Sequence, residues 1–311
     1  MGIQLKFWTK FLLALMMPVL LACDDEVDIM LGSSTAVLNI DAWVNNKSEL
    51  QTIKLTLSQP YFENDQLPPG VSGARVRISD DAGNWYDFTE NERTRDGSYT
   101  WMPATGEQLG IPGRTYQLIV DYQGETFEAT CRAGRVPPID SITYKFEEGR
   151  GPIEDEYRAE FWGNDLVGKG DTYWIKTYKN GKFINKASEI NIAYDAGISS
   201  GNGFDGVPFI SPVRGKITPN EVDSDGQREP SIIHRDSLYV EIHSISLAAF
   251  NYLNEVIDQT DKIGGLSELF TSTPMANVST NLANQNPKGS SVVGFFNVAV
   301  VSGKGKRLFL F

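Results

Sequence analysis

The sequence predicts a mainly β protein, an immunoglobulin-like β-sandwich followed by a second β-rich domain with one helix. Three observations carry this expectation. From residue 36 onward apolar and polar residues alternate with a period of two, which places every second side chain on one face of a strand. Turn-forming clusters such as Asp80-Asp81-Ala82-Gly83-Asn84, Gln123-Gly124 and Asn180-Gly181 separate the alternating runs. One stretch alone, near residues 247–258, repeats its apolar residues at helical spacing.

The strands follow in order. Leu38, Ile40, Ala42 and Val44 form the first apolar set, Ile53, Leu55 and Leu57 the second, and Ala74, Val76 and Ile78 the third. Further strands are expected near Tyr99–Trp101, at Tyr116, Leu118, Val120 and Tyr122, and at Phe127, Ala129 and Cys131. About seven short strands in about a hundred residues fit an immunoglobulin-like sandwich over residues 36–134. Arg135-Val136-Pro137-Pro138 then interrupts pairing, because two prolines remove two donors and fix the backbone, and a domain boundary is expected there. A chain of 311 residues also exceeds the usual size of one domain.

The second domain, residues 139–311, opens with strands at Ile142, Tyr144 and Phe146, at Tyr157, Ala159 and Phe161, and over Thr172–Lys179, where Asn180-Gly181 supplies a hairpin turn. Between Asp195 and Asp236 the pattern fades into Gly-rich sequence, with brief extended pieces expected at Val207–Ile210 and Val213–Ile217. Long loops of this kind are commonly functional, which makes 195–236 the candidate contact surface. Leu238, Val240 and Ile242 resume a strand. Ser246 then fits an N-cap for the helix whose stripe is Leu247, Phe250, Leu253 and Val256/Ile257. Val292–Val301 is apolar on both parities, as a central buried strand would be, and Lys306–Phe311 reads as the last strand.

The amino terminus has a different character. Lys6 and Lys10 lead into an apolar run from Phe11 to Ala22 that is too short to span a bilayer and reads as a secretory signal, residues 1–22. Its end, Leu20-Leu21-Ala22-Cys23, resembles the lipobox of bacterial lipoproteins, in which the cysteine thiol is diacylated, the preceding bond is cut and the freed amine is acylated. Two acyl chains already hold a protein firmly, and three anchor it effectively permanently. Asp24, Asp25 and Glu26 open a tether, residues 23–35, and resemble the acidic export signal behind the lipidated cysteine of surface lipoproteins of the Bacteroidota. Twelve extended residues at roughly 3.3 Å each reach about 40 Å from the lipid.

Cleavage before Cys23 removes two lysines and no acid, so the formal charge goes from −12 to −14. A chain this acidic repels phosphate backbones, and nucleic acid is not an expected partner. With Cys23 acylated, Cys131 has no partner in the chain and is expected to be a buried apolar residue, leaving the fold to rely on its core.

Catalytic and metal-binding patterns are not found, and no cofactor is expected. His234 and His243 lack a cysteine or second histidine at ligand spacing, and His243 alternates with Glu241 and Tyr239 on what reads as a solvated sheet face. Glu221-Val222-Asp223-Ser224-Asp225-Gly226 starts like a calcium loop but has Ile232 where the bidentate glutamate belongs. No serine occupies a Gly-x-Ser-x-Gly elbow. Trp85-Tyr86, Trp101, Phe161-Trp162 and Tyr173-Trp174 could form a sugar-stacking platform, although core filling and cross-strand pairing is the favoured reading. Asp140-Ser141-Ile142 and Asp236-Ser237-Leu238 resemble the Asp-Ser/Thr-aliphatic sites of O-glycosylation in the Bacteroidota, with Ser141 and Ser237 as acceptors.

Several carboxy-terminal blocks are together similar to a known family. They are Ile245-Ser246 leading into Tyr252-Leu253, Pro274 with Val278-Ser279-Thr280-Asn281-Leu282, and Gly294-Phe295-Phe296. With Gly97-Ser98-Tyr99, Tyr116-x-Leu118-x-Val120 and Phe127-x-Ala129, they resemble the outer-membrane lipoproteins of the Bacteroidota called domain-of-unknown-function family 4249. Ala283-Asn284 depart from the glycine that usually follows in that family. The resemblance implies an outer-membrane lipoprotein, often encoded beside TonB-dependent receptors, with no established enzymatic activity. The expectation is therefore a cell-surface, non-catalytic accessory of a TonB-dependent receptor that captures ligand or gates the receptor's mouth. The alternatives are an adhesin or envelope-assembly component, or a glycan-binding module or hydrolase, the last needing paired carboxylates at catalytic separation.

Overall fold

The computed structural model describes residues 35–60, 66–149, 155–201, 203–220, 231–260 and 277–309. It is mainly β, and residues 36–311 form one compact unit. The first region contains β1 (Leu38–Asn45), β2 (Gln51–Leu57), β3 (Arg75–Asp80), β4 (Trp85–Glu90), β5 (Ser98–Trp101), β6 (Thr115–Tyr122) and β7 (Glu125–Arg132). Alternation decides their orientation: Leu38, Ile40, Ala42 and Val44 of β1 are buried, as are Val76 and Ile78 of β3 and Leu118 and Val120 of β6. These side chains share one core with Phe127, Tyr99 and Tyr116.

Turn chemistry fixes the register. The Asp80 carboxylate accepts the amides of Ala82 and Asn84 at 3.0 and 2.9 Å, and Gly83 supplies the left-handed residue. Burial would raise the Asp80 pKa, but these bonds and Arg114 hold it down at about 2. Gln123-Gly124 and Asn180-Gly181 both have positive φ at each position, as a two-residue hairpin turn requires. In β4, Trp85–Phe88 lie within the pairing with β3, while Thr89 and Glu90 pair with β5, so one strand links two groups of strands.

The second region contains β8 (Ser141–Glu147), β9 (Glu156–Trp162), β10 (Thr172–Lys179), β11 (Lys182–Phe183), β12 (Asn191–Tyr194) and, beyond a short helix α1 (Ser211–Gly215), β13 (Ser237–Ile245). After helix α2 (Leu247–Thr260) come β14 (Ala283–Asn284), β15 (Val292–Ala299) and β16 (Val301–Arg307). Strands β8 and β9 form a separate hairpin. The second sheet runs β11-β10-β13-β16, with β12 also paired to β10. Its core holds Phe161, Tyr173, Phe209, Val240 and Ile242. Among the described residues no helix is long and apolar enough to cross a membrane.

The carboxy-terminal strands tie the two regions together. The nine-stranded path is β14-β7-β6-β3-β4-β5-β2-β1-β15, with β15 parallel to β1 and β14 antiparallel to β7. Its ends also meet, since the Val298 amide lies 3.4 Å from Cys131 Sγ and the thiol 3.5 Å from Asn297 Oδ1. Val292–Val301 was expected to be a central strand, yet β15 ends the path. It is buried on both faces because Phe296 and Val298 enter the first core while Phe295 packs on the other side with Phe250 and Leu253 of α2 and with Trp43.

Two further expectations are corrected. Val213–Ile217 is not extended: Pro212 presets a helical φ in the first turn of α1, and Val213 and Ile217 are buried in the second core. The last described strand is β16, Val301–Arg307, not Lys306–Phe311, because residues 301–307 pair along β13 as far as Ser237↔Arg307.

Candidate functional site

A cleft of about 850 Å³ lies between one face of the β8–β9 hairpin and the segment from Ser211 to Asn220. Alternation selects its floor. Ile142, Ala159 and Phe161 face the second core, so Thr143, Lys145 and Glu147 of β8 and Arg158, Glu160 and Trp162 of β9 face the cleft. The opposite wall is pinned by Thr218, whose Oγ1 accepts the Ala159 amide at 2.9 Å and lies 3.1 Å from the Ala159 carbonyl oxygen. One hydroxyl thereby satisfies part of the free edge of β9.

Trp162 is 37% exposed. Its Nε1 donates to Thr143 Oγ1 at 2.8 Å, and the Arg214 guanidinium lies 4.0 Å from the centre of its ring. Arg214 also donates to the Phe209 carbonyl and pairs with Glu160 at 3.4 Å, so the ring, the strand and α1 hold one another in place. Glu147 lies 3.6 Å from Lys145 and 3.7 Å from Arg158.

Glu189 and Pro219 are walls shared with a second cavity of about 400 Å³, which adds Lys179, Lys182 and Lys186. Glu189 is also shared with a third, apolar cavity of about 230 Å³ lined by Trp43, Trp174 and Tyr252. Its Oε1 accepts the Asn220 amide at 2.7 Å, while its buried Oε2 has no hydrogen-bond donor among the described residues. Glu189 is thus a lining residue common to all three cavities.

A second polar arrangement lies at the ends of β9, β10 and β12, where Asp165, Asp171 and Asp195 bring carboxylate oxygens within 4.8 Å of one another. Oxygen donors at that spacing suit a hard cation, but each carboxylate already has protein partners. Arg135 Nη2 lies 2.7 Å from Asp171, Tyr173 donates to Asp165 at 2.6 Å, and Asp195 accepts the amides of Gly170 and Asp171. Burial, with the nearby charges of Asp171 and Asp195, raises the Asp165 pKa. Sequence reading did not find this triad, because its members are 6 and 24 residues apart in stretches without a motif.

His243 corrects an expectation. Instead of lining a solvated face, it is 5% exposed and Glu241 1% exposed. Lys47, 194 residues away in sequence, reaches across to Glu241 at 2.7 Å, His243 Nε2 lies 2.8 Å from the same carboxylate, and Tyr178 donates to it at 3.2 Å. Burial lowers the His243 pKa to about 4, which keeps the ring neutral. Burial would raise the Glu241 pKa, but its hydrogen bonds from His243 and Lys47 hold it at about 2. Cys131 is buried, and desolvation pushes its thiol up to about 11.

The aromatic pairs divide between core and surface. Tyr86, Phe161 and Tyr173 are buried, whereas Trp85 is 52% exposed and carries Arg77 over its ring. Ser141 starts β8 and Ser237 starts β13; the Ser237 amide donates to Asn180 Oδ1 at 2.9 Å. Within 195–236, Phe209, Val213, Ile217 and Ile232 serve the second core, leaving Ile198, Val207 and Ile233 exposed. Leu20, Leu21, Ala22, Cys23, Asp24, Asp25 and Glu26 lie outside the described residues, as do residues 221–230 of the calcium-like loop.

A family model described as domain of unknown function (DUF4249) matches residues 24–304. No curated protein matches the sequence.

Proposed function

The chain belongs to the DUF4249 family, and we propose that it acts as a surface-exposed, outer-membrane lipoprotein, a non-catalytic accessory of a TonB-dependent receptor that captures ligand or gates the receptor's mouth. One observation carries this reading. The first described strand starts at Leu38, so the stretch read as anchor and tether, residues 23–35, comes before the sheet in the sequence. Asp24, Asp25 and Glu26 would then route the protein outward, as in surface lipoproteins of the Bacteroidota.

Cys131 is buried with a raised pKa and His243 is sealed against Glu241, so neither lines the cleft. We also read the 36–134 region as immunoglobulin-like. The neighbours β1-β2-β5-β4 and β3-β6-β7 follow the strand order of that fold. Tyr116, at the start of β6, accepts the Ile111 amide at 2.9 Å in the manner of a tyrosine corner.

The test is anchoring followed by topology. Cys23→Ala should abolish incorporation of a fatty-acid probe and leave a larger or degraded product; a variant still labelled and membrane-bound would overturn the anchor. Replacing Asp24, Asp25 and Glu26 with alanine should keep the label but reduce cleavage by protease added to whole cells. Unchanged cleavage would reduce the acidic cluster to a linker.

A further inference from the structure

We propose that the cleft around Trp162 and Glu189 binds an acidic oligosaccharide, a chain of pyranose rings carrying carboxylates. This deepens the ligand-capture reading and rests on it. The first observation is a reversal of charge. The whole chain has a formal charge of −12, yet Lys145, Arg158 and Lys216 line the first cavity and Lys182 and Lys186 the second, against Glu147, Glu160 and Glu189, while Lys179 is paired with Asp236 at 3.3 Å. An anionic ligand is repelled by the molecule as a whole and attracted here, because a cleft with a surplus of one sign focuses the field.

The second observation is the need for donors. Glu147, Glu160 and Glu189 line the first cavity beside the cations, and their carboxylate oxygens accept from ligand hydroxyls. A simple anion offers only acceptors, whereas a uronate ring offers a carboxylate to the lysines and hydroxyls to the glutamates. The third is shape. Arg214 covers one face of Trp162, and Trp162, 37% exposed, lines the cleft. A flat apolar face among Thr143, Ser211 and Thr218 suits the C–H face of a sugar ring with hydroxyls at its rim. The first cavity, about 850 Å³, has room for more than one ring, and the second, about 400 Å³, lies next to it across Glu189 and Pro219.

The experiment is calorimetric titration of the intact acylated protein in detergent, without receptor, with hexagalacturonate, cellohexaose and hexaglutamate. Its outcome is independent of whether a receptor co-purifies. Hexagalacturonate should bind at least about tenfold more tightly than either of the others, with affinity falling as salt is raised from 50 to 200 mM. Lys145→Glu with Lys182→Glu should weaken binding by about tenfold or more with the melting temperature of the parent, and Trp162→Ala should weaken it as much while also lowering the melting temperature. Cellohexaose binding as tightly as hexagalacturonate would refute the charge argument, and hexaglutamate doing so would refute the sugar argument. Absence of hexagalacturonate binding, or binding that the three substitutions leave unchanged, overturns the assignment.

Discussion

Phe250→Ala in α2 tests how the helix is held. Phe250 is 6% exposed and packs edge-on to Tyr194, with ring centres 6.0 Å apart and planes at 77°. Its cluster also contains Ile192, Ile245, Leu253 and Phe295, which come from β12, β13, α2 and β15. An aromatic side chain of this kind buries roughly 150–250 Å². Truncation to alanine forfeits the transfer energy and leaves a cavity, for a loss of about 3–5 kcal/mol. For a unit of this size each kcal/mol moves the melting temperature by roughly 2 °C, so a fall of about 6–10 °C is expected. The control is Asn251→Ala, one position along on the exposed side of the helix, where alanine improves helix propensity and the transition should stay within about 1 °C of the parent. Thermal unfolding followed by near-ultraviolet circular dichroism reads both variants. If the two melted together at the parent temperature, α2 would not be docked on β15, and the account of why β15 is buried on both faces would fail.

Further substitutions probe the closure of the first sheet and the sealed polar cluster. Gly294 has φ +101°, and a Cβ there would collide with the Ile40 carbonyl, so Gly294→Ala should cost several kcal/mol and broaden the urea transition. His243 has a folded pKa of about 4, below its ordinary 6.5, so the unfolded chain binds the extra proton between those values and stability falls as pH drops from 6.5 toward 4. His243→Gln should flatten that part of the stability profile, and an unchanged slope would contradict the assignment of a neutral, buried ring. Glu241 acts at lower pH. Its folded value of about 2 contributes stability that is present above its ordinary 4.5 and lost as pH falls through 2, and Glu241→Gln should remove that contribution. Cys131 should react with iodoacetamide only after unfolding; prompt modification of the native protein at pH 8 would contradict its burial.

Period-two alternation made most strands legible because each has one face on a core and one facing away, which is the case that pattern reports. Segments covered on both sides were harder. In β15 the two coverings come from different cores, and a sequence apolar on both parities cannot distinguish a central strand from an end strand with a helix laid over it. His243 shows the reverse error: the polar parity of β13 is sealed by Lys47, from a turn near the other end of the chain, and nothing local announces that contact. Strand β12, just before the Gly-rich stretch, and helix α1, within it, are too short for a periodic signal. Trp162 was visible as an aromatic on a strand, but its partners in the cleft, Glu147, Glu189 and Thr218, lie on separate segments whose meeting is set by tertiary packing. The Asp165, Asp171 and Asp195 cluster escaped notice for the same reason.

The accessory role is tested most directly by isolating the tagged full-length protein from its native membranes in mild detergent and weighing what comes with it by quantitative mass spectrometry. The account predicts recovery of the acylated chain with a large outer-membrane β-barrel receptor at equal abundance, in wild type and not in a Cys23→Ala strain. Recovery of the acylated chain alone, under conditions that keep other receptor complexes intact, would contradict it.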